Sequence, residues 1–314
     1  IPISSLLFNE SFNTTAHETI ISNNGIQLTK LPPLQKLHVV NKDDCNTSEI
    51  TEQDIVNILL CAMKDQHFNV LCFEGFLMPV SFSSSSFTNT MISRAINVSW
   101  CPFDSVFHLD LQTGHWEVND FEAIRNSYSD IISINESDTI LQQRSKVQLL
   151  YIAANHDTPI SCLHLNKSVE QYQEESCVLH SGIHLKPIAT VEHLCIEKGM
   201  GRNKELRKIK KPEIRKIFLY GMKSQKLNDI SFRGCLLPVD NLSKYIPSDM
   251  KGRDIRITWP EWGYCLNLQT GEWEVADLDH IKALCTKTVQ INFRDSQALQ
   301  RDTIRLLENA ANHD

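Results

Sequence analysis

The feature that most constrains this chain is an internal repeat in its sequence. Three blocks recur at one spacing of 157 residues: 111–118 with 268–275, 153–157 with 310–314, and Pro2-Ile3-Ser4 with Pro159-Ile160-Ser161. The first block is LQTGHWEV and its partner is LQTGEWEV, which differ at one position. Three blocks in one register predict two tandem copies of one domain, residues 1–157 and 158–314.

The length of the repeat excludes a solenoid array, because solenoid repeats are about 20–50 residues long. Between the matched blocks the spacing widens to 159, as for Phe73 with Phe232 and Trp100 with Trp259. The spacing then returns to 157, which indicates two compensating two-residue insertions in loops. Each copy therefore has the size of an ordinary single domain.

The clearest predicted elements are two helices at equivalent places in the copies. Residues 50–66 place apolar side chains on one helical face, and Thr51 is suited to the N-cap. The equivalent segment, 212–225, begins with Pro212, a residue that favours the first turn of a helix. A helix is thus expected in the first half of each copy.

The remaining pattern of each copy predicts short strands and closing helices. In the first copy we expect strands at 69–73 and 96–100, a hairpin turning at Thr113-Gly114, and helices at 120–132 and 138–155. Asn-Gly and Pro-Pro pairs separate further short strands before residue 45. The expected class is α+β, with a small, mainly antiparallel sheet and helices on one face in each copy.

The ten cysteines favour a reducing compartment. None aligns with a cysteine of the other copy and no C-x-x-C occurs, so neither a shared disulfide framework nor a metal site is predicted. Seven N-x-S/T sequons and a chain that begins at Ile1 without methionine leave secretion open. No apolar run reaches the length of a membrane span, so no transmembrane segment is expected.

Two His-Asp pairs are the most enzyme-like feature of the sequence. His156-Asp157 and His313-Asp314 each end a copy, and each pair contains a base and a carboxylate able to orient it. The alternative is structural, because a histidine in the last turn suits the helix dipole and an aspartate suits a turn. No nucleotide- or cofactor-binding motif accompanies these pairs, so no cofactor is predicted.

A tryptophan–glutamate pair follows the turn of each predicted hairpin. Trp116-Glu117 and Trp273-Glu274 would form a partner-binding surface if the aromatic rings were exposed. The alternative is that both tryptophans fill the core, as expected for Trp100 and Trp259, while the glutamates face water.

Charge separates the two copies. The first carries 8 basic and 18 acidic residues, a net charge of −10, and the second carries 23 and 20, a net charge of +3. Nine of the basic residues lie within 198–216, which we name the basic segment. Its candidate binding residues are Lys204, Arg207, Lys208, Lys210, Lys211 and Arg215. The segment suits a solvated surface, docking on an acidic protein surface, or phosphate of nucleic acid or anionic lipid.

These features lead to three functional hypotheses. The first is a non-catalytic interaction protein, whose diverged and oppositely charged copies engage a protein partner. The second is a hydrolase or transferase with a site at the cleft between the copies, using His156 or His313. The third is binding of nucleic acid or anionic lipid by the basic segment. Absence of a catalytic motif favours the first.

Overall fold

A computed structural model describes much of the chain, and the structural statements below concern that part. The described residues are 3–8, 12–15, 19–22, 27–28, 34–41, 49–79, 82–101, 106–119, 131–173, 175–198, 207–238, 241–276, 300, 304 and 307. The chain divides into two compact units. Unit 1 comprises 1–127 and 138–152, and unit 2 comprises 128–137 and 153–314.

Unit 1 combines short strands with helices. Its strands are β1 (Ile3–Phe8), β2 (Phe12–Thr15), β3 (Thr19–Ser22), β4 (Gln27–Leu28), β5 (Leu34–Val40), β6 (Val70–Glu74), β7 (Asn97–Cys101), β8 (Phe107–Leu109) and β9 (Trp116–Val118). Its helices are α1 (Glu52–Ala62), the short α2 (Asn89–Ser93) and most of α3 (Ile140–Asn155), with a 3-10 turn at Ser84–Ser86. The hairpin and the helices predicted at 50–66 and 138–155 are confirmed.

The main sheet of unit 1 is mixed, so the expectation of a mainly antiparallel sheet is wrong. Its strand order is β1-β5-β6-β7-β8-β9, and the first four strands pair in parallel. Only β8 and β9 join in antiparallel fashion. Because α1 carries the chain back between β5 and β6, the two strands run the same way. Strand patterns in the sequence do not reveal this pairing.

Helix α1 is specified locally by its cap. The Thr51 hydroxyl accepts a hydrogen bond from the Asp54 amide at 3.2 Å, and the Asp54 carboxylate accepts one from the Thr51 amide at 2.9 Å. This capping box satisfies two amides that the helix start would leave unpaired. Ile55, Ile58 and Leu59 are then fully buried against the sheet.

The core of unit 1 is built from alternate residues of the sheet. Two rows run across the strands in register and belong to one buried cluster: Leu37-Leu71-Val98-Leu109-Trp116 and Val39-Phe73-Trp100-Phe107. Because side chains alternate along a strand, the residues between these rows lie on the opposite face of the sheet. That face carries the polar residues described below.

Unit 2 has a similar set of elements. Its strands are β10 (Ile131–Asn135), β11 (Ile160–Asn166), β12 (Val169–Tyr172), β13 (Cys177–Leu179), β14 (His184–Leu185), β15 (Val191–Glu197), β16 (Arg207–Lys208), β17 (Asp229–Arg233), β18 (Cys235–Leu236), β19 (Arg256–Trp259), β20 (Tyr264–Leu266) and β21 (Trp273–Val275). Helix α4 is Lys211–Met222, with 3-10 turns at Ser248–Gly252 and Pro260–Trp262. Pro212 lies in the first turn of α4, as predicted.

The main sheet of unit 2 is also mixed, with strand order β10-β11-β15-β17-β19-β20-β21. The first five strands in this order, β10-β11-β15-β17-β19, pair in parallel. The pairings of β19 with β20 and of β20 with β21 are antiparallel. Strand β10 corrects the helix predicted at 120–132, because Ile131 and Ile132 are extended and pair with β11. The rest of that predicted helix, 120–130, lies outside the described residues.

Each main sheet is accompanied by a small antiparallel one. In unit 1 this sheet is β2-β3-β4, inserted between β1 and β5; in unit 2 it is β12-β13-β14, inserted between β11 and β15. The fold is therefore a mixture of α and β structure, as expected at that level. No helix in the described part of the chain is long and apolar enough to cross a bilayer.

Candidate functional site

The polar face of unit 1 is the side of its main sheet opposite the core. A central row crosses five strands in register, from His38 through Cys72, Ser99 and His108 to Glu117. Flanking positions complete the face, whose polar residues and cysteines are Lys36, His38, Cys72, Glu74, Asn97, Ser99, Cys101, His108 and Glu117. Most of these side chains are half-exposed or exposed, whereas Cys72 and Ser99 are buried among them. Val40 and Val70 lie on the same face, at its edges.

Neighbouring strands of this face are linked through their histidines. His38 Nε2 lies 3.2 Å from Glu74 Oε2, an ion pair when the imidazole is protonated. His108 Nδ1 lies 2.9 Å from Asn97 Oδ1, and burial lowers the pKa of His108. The other ring nitrogen of His108, Nε2, is buried without a hydrogen-bond partner in the described structure. Buried polar atoms are normally satisfied, so this nitrogen is an exception within the described structure.

Two cysteines meet on the same face. Cys72 Sγ lies 3.7 Å from Cys101 Sγ across the β6–β7 pairing. Hydrogen bonds with Cys101 and Ser99, and electrostatic interactions with His38 and Lys36, hold the pKa of the Cys72 thiol below its ordinary value although burial opposes them. The hydrogen bond with Cys72 and the burial of the side chain raise the pKa of the Cys101 thiol. The two thiols are thus unequal, with Cys72 the better thiolate.

The polar face of unit 2 has a denser cluster. Cys162, His193, Asp229 and Arg256 occupy equivalent positions on β11, β15, β17 and β19. His193 Nε2 lies 2.7 Å from Asp229 Oδ2 and 2.8 Å from Ser231 Oγ. Hydrogen bonds with Asp229 and then with Cys162 raise the pKa of His193 to about 9, so this imidazole is a cation at neutral pH.

The next rows of this face continue the polar pattern. His164 Nε2 lies 3.0 Å from Glu197 Oε2, and Asn166 donates to Asn135 Oδ1 at 3.1 Å. A cavity of about 540 Å³ lies beside the row that contains Asp229. Its lining includes Asn228, Asp229, Arg256, Thr258 and Tyr264. Charged and hydrogen-bonding groups therefore border a space large enough for a side chain or small molecule.

The predicted His-Asp pair lies away from these clusters. His156 and Asp157 are exposed just after α3 ends at Asn155, and Asp157 has a positive φ of 49°. Asp157 Oδ1 forms an ion pair with Lys226 Nζ at 3.1 Å. This arrangement matches the structural alternative for the pair, a turn at a helix end. His313 and Asp314 lie outside the described residues.

The basic segment is partly described. Lys204 lies outside the described residues, and Arg207 belongs to β16. Lys208, Lys210 and Arg215 are exposed, while Lys211 is half-buried. At the edge of the segment Lys198 Nζ forms an ion pair with Glu213 Oε1 at 2.8 Å. Three of the six predicted basic residues are therefore at the surface near the start of α4.

The two hairpin tryptophans lie in the core, as the structural alternative for the two pairs expects, and their rings do not form a partner-binding surface. Trp116 and Trp273 are 1% and 7% exposed. Each indole packs near the equivalent core tryptophan, Trp116 by Trp100 and Trp273 by Trp259, with ring centroids 6.0 and 5.9 Å apart. Glu117 and Glu274 are the accessible members of the two pairs, and both belong to the polar faces. Core burial of Trp100 and Trp259 is confirmed.

Apart from Glu117 and Glu274, the polar-face residues were missed from the sequence although a signal was present. Strands β5, β6 and β7 alternate apolar with polar or cysteine residues, as in Leu37-His38-Val39 and Leu71-Cys72-Phe73. The alternation predicts that each strand has one exposed side. It does not predict which strands are neighbours, and only the sheet order brings their polar side chains together. Comparison with protein-family models, with curated proteins and with solved structures finds no match for this chain.

Proposed function

We propose that this chain is a non-catalytic binding protein, which engages a protein partner through the polar faces of its sheets. The observation that carries the proposal is the division of each main sheet into two faces. Alternate residues fill the core, and the residues between them are mostly hydrogen-bonding groups. Many of these are half-exposed or exposed, whereas Cys72, Ser99, Cys195 and Ser231 are buried. Parallel strands are commonly covered on both faces and read as continuous apolar runs. Strands with one polar face suit a surface that meets a polar partner.

The pairing of side chains on these faces supports recognition. His38 with Glu74, His164 with Glu197, and His193 with Asp229 link neighbouring strands. Side chains already held by such contacts lose less conformational entropy on binding. Paired charges also select partners of complementary charge.

We also propose that the units descend from one duplicated domain and have diverged in charge. Arg94 donates to the carbonyl oxygens of Met63, Asp65 and Phe68. Arg253, 159 residues later, donates to Met222, Ser224 and Leu227, each also 159 residues later. The matched strand order adds support. Partner surfaces of opposite charge would then distinguish the acidic copy from the weakly basic one.

A reducing compartment is part of the proposal. Seven of the described cysteines are free thiols: Cys162, Cys177, Cys195, Cys235, Cys265 and the close pair Cys72 and Cys101. Free thiols persist where glutathione and thioredoxin keep them reduced.

One observation favours a second candidate function, phosphate binding by the basic segment. Lys208, Lys210 and Arg215 are exposed at the start of α4, and the N-cap residue Lys210 makes no side-chain cap. Amides at a helix start and nearby cations both attract anions. Glu213, paired with Lys198 in the same turn, opposes this use.

The experiment is site-specific photo-crosslinking combined with matched charge changes. A photoreactive residue replaces Asn97 on the polar face of unit 1 or, as control, Gln112 in the exposed hairpin turn. We expect one partner to crosslink at position 97 and not at 112. Its capture should fall at least tenfold in Asn97→Arg and in Arg256→Glu, and stay unchanged in the control Gln112→Arg.

Two results would contradict the proposal. Capture that is insensitive to both face substitutions would exclude the polar faces as the binding surface. The second result concerns a heparin column. If the wild-type chain is retained and elutes at moderate salt, and the triple variant Lys208→Glu, Lys210→Glu and Lys211→Glu is not retained, the result supports phosphate binding instead.

A further inference from the structure

We propose that Cys72 and Cys101 are a dithiol–disulfide redox pair, in which a hydroperoxide oxidises Cys72 first and Cys101 then closes the disulfide. The two cysteines lie on adjacent parallel strands and on the same face of the sheet. Both cysteines belong to the polar face of unit 1, but the inference does not rest on the partner-binding function, because it concerns only the chemistry of two side chains.

The geometry brings the two sulfurs to contact distance. Their separation is 3.7 Å, and a disulfide bond is about 2.05 Å long. Each sulfur therefore has to move by about 0.8 Å, a distance that side-chain rotation can supply while β6 and β7 stay paired. Cys101 is half-exposed at the end of β7, so small oxidants can reach the pair from solvent.

The surroundings divide the two roles. Cys72 makes hydrogen bonds with Cys101 and Ser99 and lies near the side chains of His38 and Lys36, all of which lower its pKa. These contacts favour its thiolate, the form that attacks peroxide. The hydrogen bond with Cys72 and burial raise the pKa of the Cys101 thiol, which suits the thiol that reacts second.

Other cysteines have the opposite setting. Burial raises the pKa of Cys195 to about 11 and that of Cys177 to about 12. Cys195 occupies the row position in unit 2 that His38 occupies in unit 1. It serves as the matched control, a thiol on a polar face where burial outweighs the hydrogen bond from Ser231 and the charge of Arg233.

The reaction balances in two steps. The Cys72 thiolate attacks one peroxide oxygen, the O–O bond breaks, and the alkoxide leaves as an alcohol after taking up a proton, so that Cys72 becomes a sulfenic acid. Cys101 sulfur then attacks the Cys72 sulfur, the S–O bond breaks, and hydroxide leaves as water with the Cys101 proton. Two thiols lose two electrons and the peroxide gains them. An external dithiol reverses the reaction by exchange.

Peptide mapping tests the proposal on the wild-type chain. Trypsin cleaves after Lys64, Arg94 and Arg125, so Cys72 and Cys101 fall alone in peptides 65–94 and 95–125. The reduced protein is treated with one equivalent of hydrogen peroxide, alkylated, and digested without reductant. We expect a disulfide between these two peptides, which dithiothreitol removes. A brief iodoacetamide pulse at pH 6.5 should label Cys72 at least tenfold faster than Cys195.

Variants assign the order of the steps. In Cys101→Ser, dimedone should trap a sulfenic acid on peptide 65–94, because the second thiol is absent. In Cys72→Ser, neither peptide should gain an adduct, and Cys195→Ser should leave the wild-type disulfide unchanged. Absence of the 65–94 to 95–125 link, or faster labelling of Cys101 than of Cys72, would overturn the proposal. The wild-type readout decides the question even if a serine variant fails to fold.

Discussion

The indole nitrogen of Trp116 donates a hydrogen bond of 2.8 Å to the carbonyl oxygen of Pro79. This bond ties the hairpin β8–β9 to the chain that follows β6. In unit 2, Trp273 donates to Pro238 at 3.1 Å in the same way. A tryptophan is therefore required at each place both as core volume and as a hydrogen-bond donor.

Replacing either tryptophan by phenylalanine should lower the free energy of unfolding by about 1–3 kcal/mol, because the buried carbonyl loses its donor and a small cavity forms. Urea denaturation of Trp116→Phe and Trp273→Phe measures the loss. Gln112→Ala, in the exposed turn of the same hairpin, is the control and should stay within about 0.5 kcal/mol of the wild type. Equal stability of the phenylalanine variants and the control would contradict this role.

Arginine 94 and its equivalent Arg253 should not tolerate lysine. Each guanidinium bridges three or more backbone carbonyls between the end of a helix and the strand that follows it. A lysine ammonium cannot span the same set of acceptors. We expect Arg94→Lys and Arg253→Lys each to lower the free energy of unfolding, measured by chemical denaturation, by about 2 kcal/mol. Arg215→Lys, on an exposed turn of α4, should change stability by less than about 0.5 kcal/mol.

Gly271 should not tolerate a side chain, because of its backbone conformation and its close contact with a neighbouring backbone segment. Its φ is +75°, and an added Cβ would lie 2.2 Å from the amide nitrogen of Ser243. Gly271→Ala therefore combines a strained conformation with a backbone clash and should cost at least about 2 kcal/mol by thermal or urea unfolding. Gly252→Ala is the matched control, since nothing lies within 4 Å of its added Cβ. A similar effect of both substitutions would refute the argument.

The ion pair of His193 with Asp229 should make stability depend on pH. The pKa of His193 is about 9 in the folded chain and about 6.5 in an unfolded one. Because the folded value is raised, the stabilisation is complete below pH 6.5 and is lost as pH rises through 9. The imidazole is partly exposed, so the contribution is of order 1–2 kcal/mol, below what the full shift implies.

The comparison of wild type with His193→Gln checks that expectation. The difference in free energy of unfolding should be largest at pH 6 and should decline between pH 6.5 and 9.5. His180→Gln, at an exposed position in unit 2, should show no such decline. A constant difference for His193→Gln across this range would argue against the ion pair.

Local elements could be predicted because short-range chemistry specifies them. Thr51 and Asp54 make a capping box within three residues of each other, and Pro212 starts α4 with its preset φ. The Thr113-Gly114 turn is encoded similarly, since Gly114 has a φ of +75° that other residues rarely adopt. These signals are contained in neighbouring residues and need no knowledge of the rest of the fold.

The polar faces could not be predicted, because they depend on which strands are neighbours. His38, Cys72 and His108 lie up to 70 residues apart in the chain, yet they share one row of the sheet. Sequence patterning placed a helix at 120–132, where Ile131 in fact joins β10. It also favoured antiparallel pairing, since alternation is typical of half-exposed antiparallel strands.

By itself, the sequence determined the repeat register, the main helices, the hairpins and the tryptophan positions, because each depends on residue identity or on periods of a few residues. Only the tertiary structure decided strand direction, sheet order and the side-chain clusters. Parallel strands are connected by crossovers such as α1. The number of residues between two strands does not indicate whether a crossover makes them neighbours in the sheet. The cysteine pair and the His193–Asp229 ion pair are consequences of that sheet order.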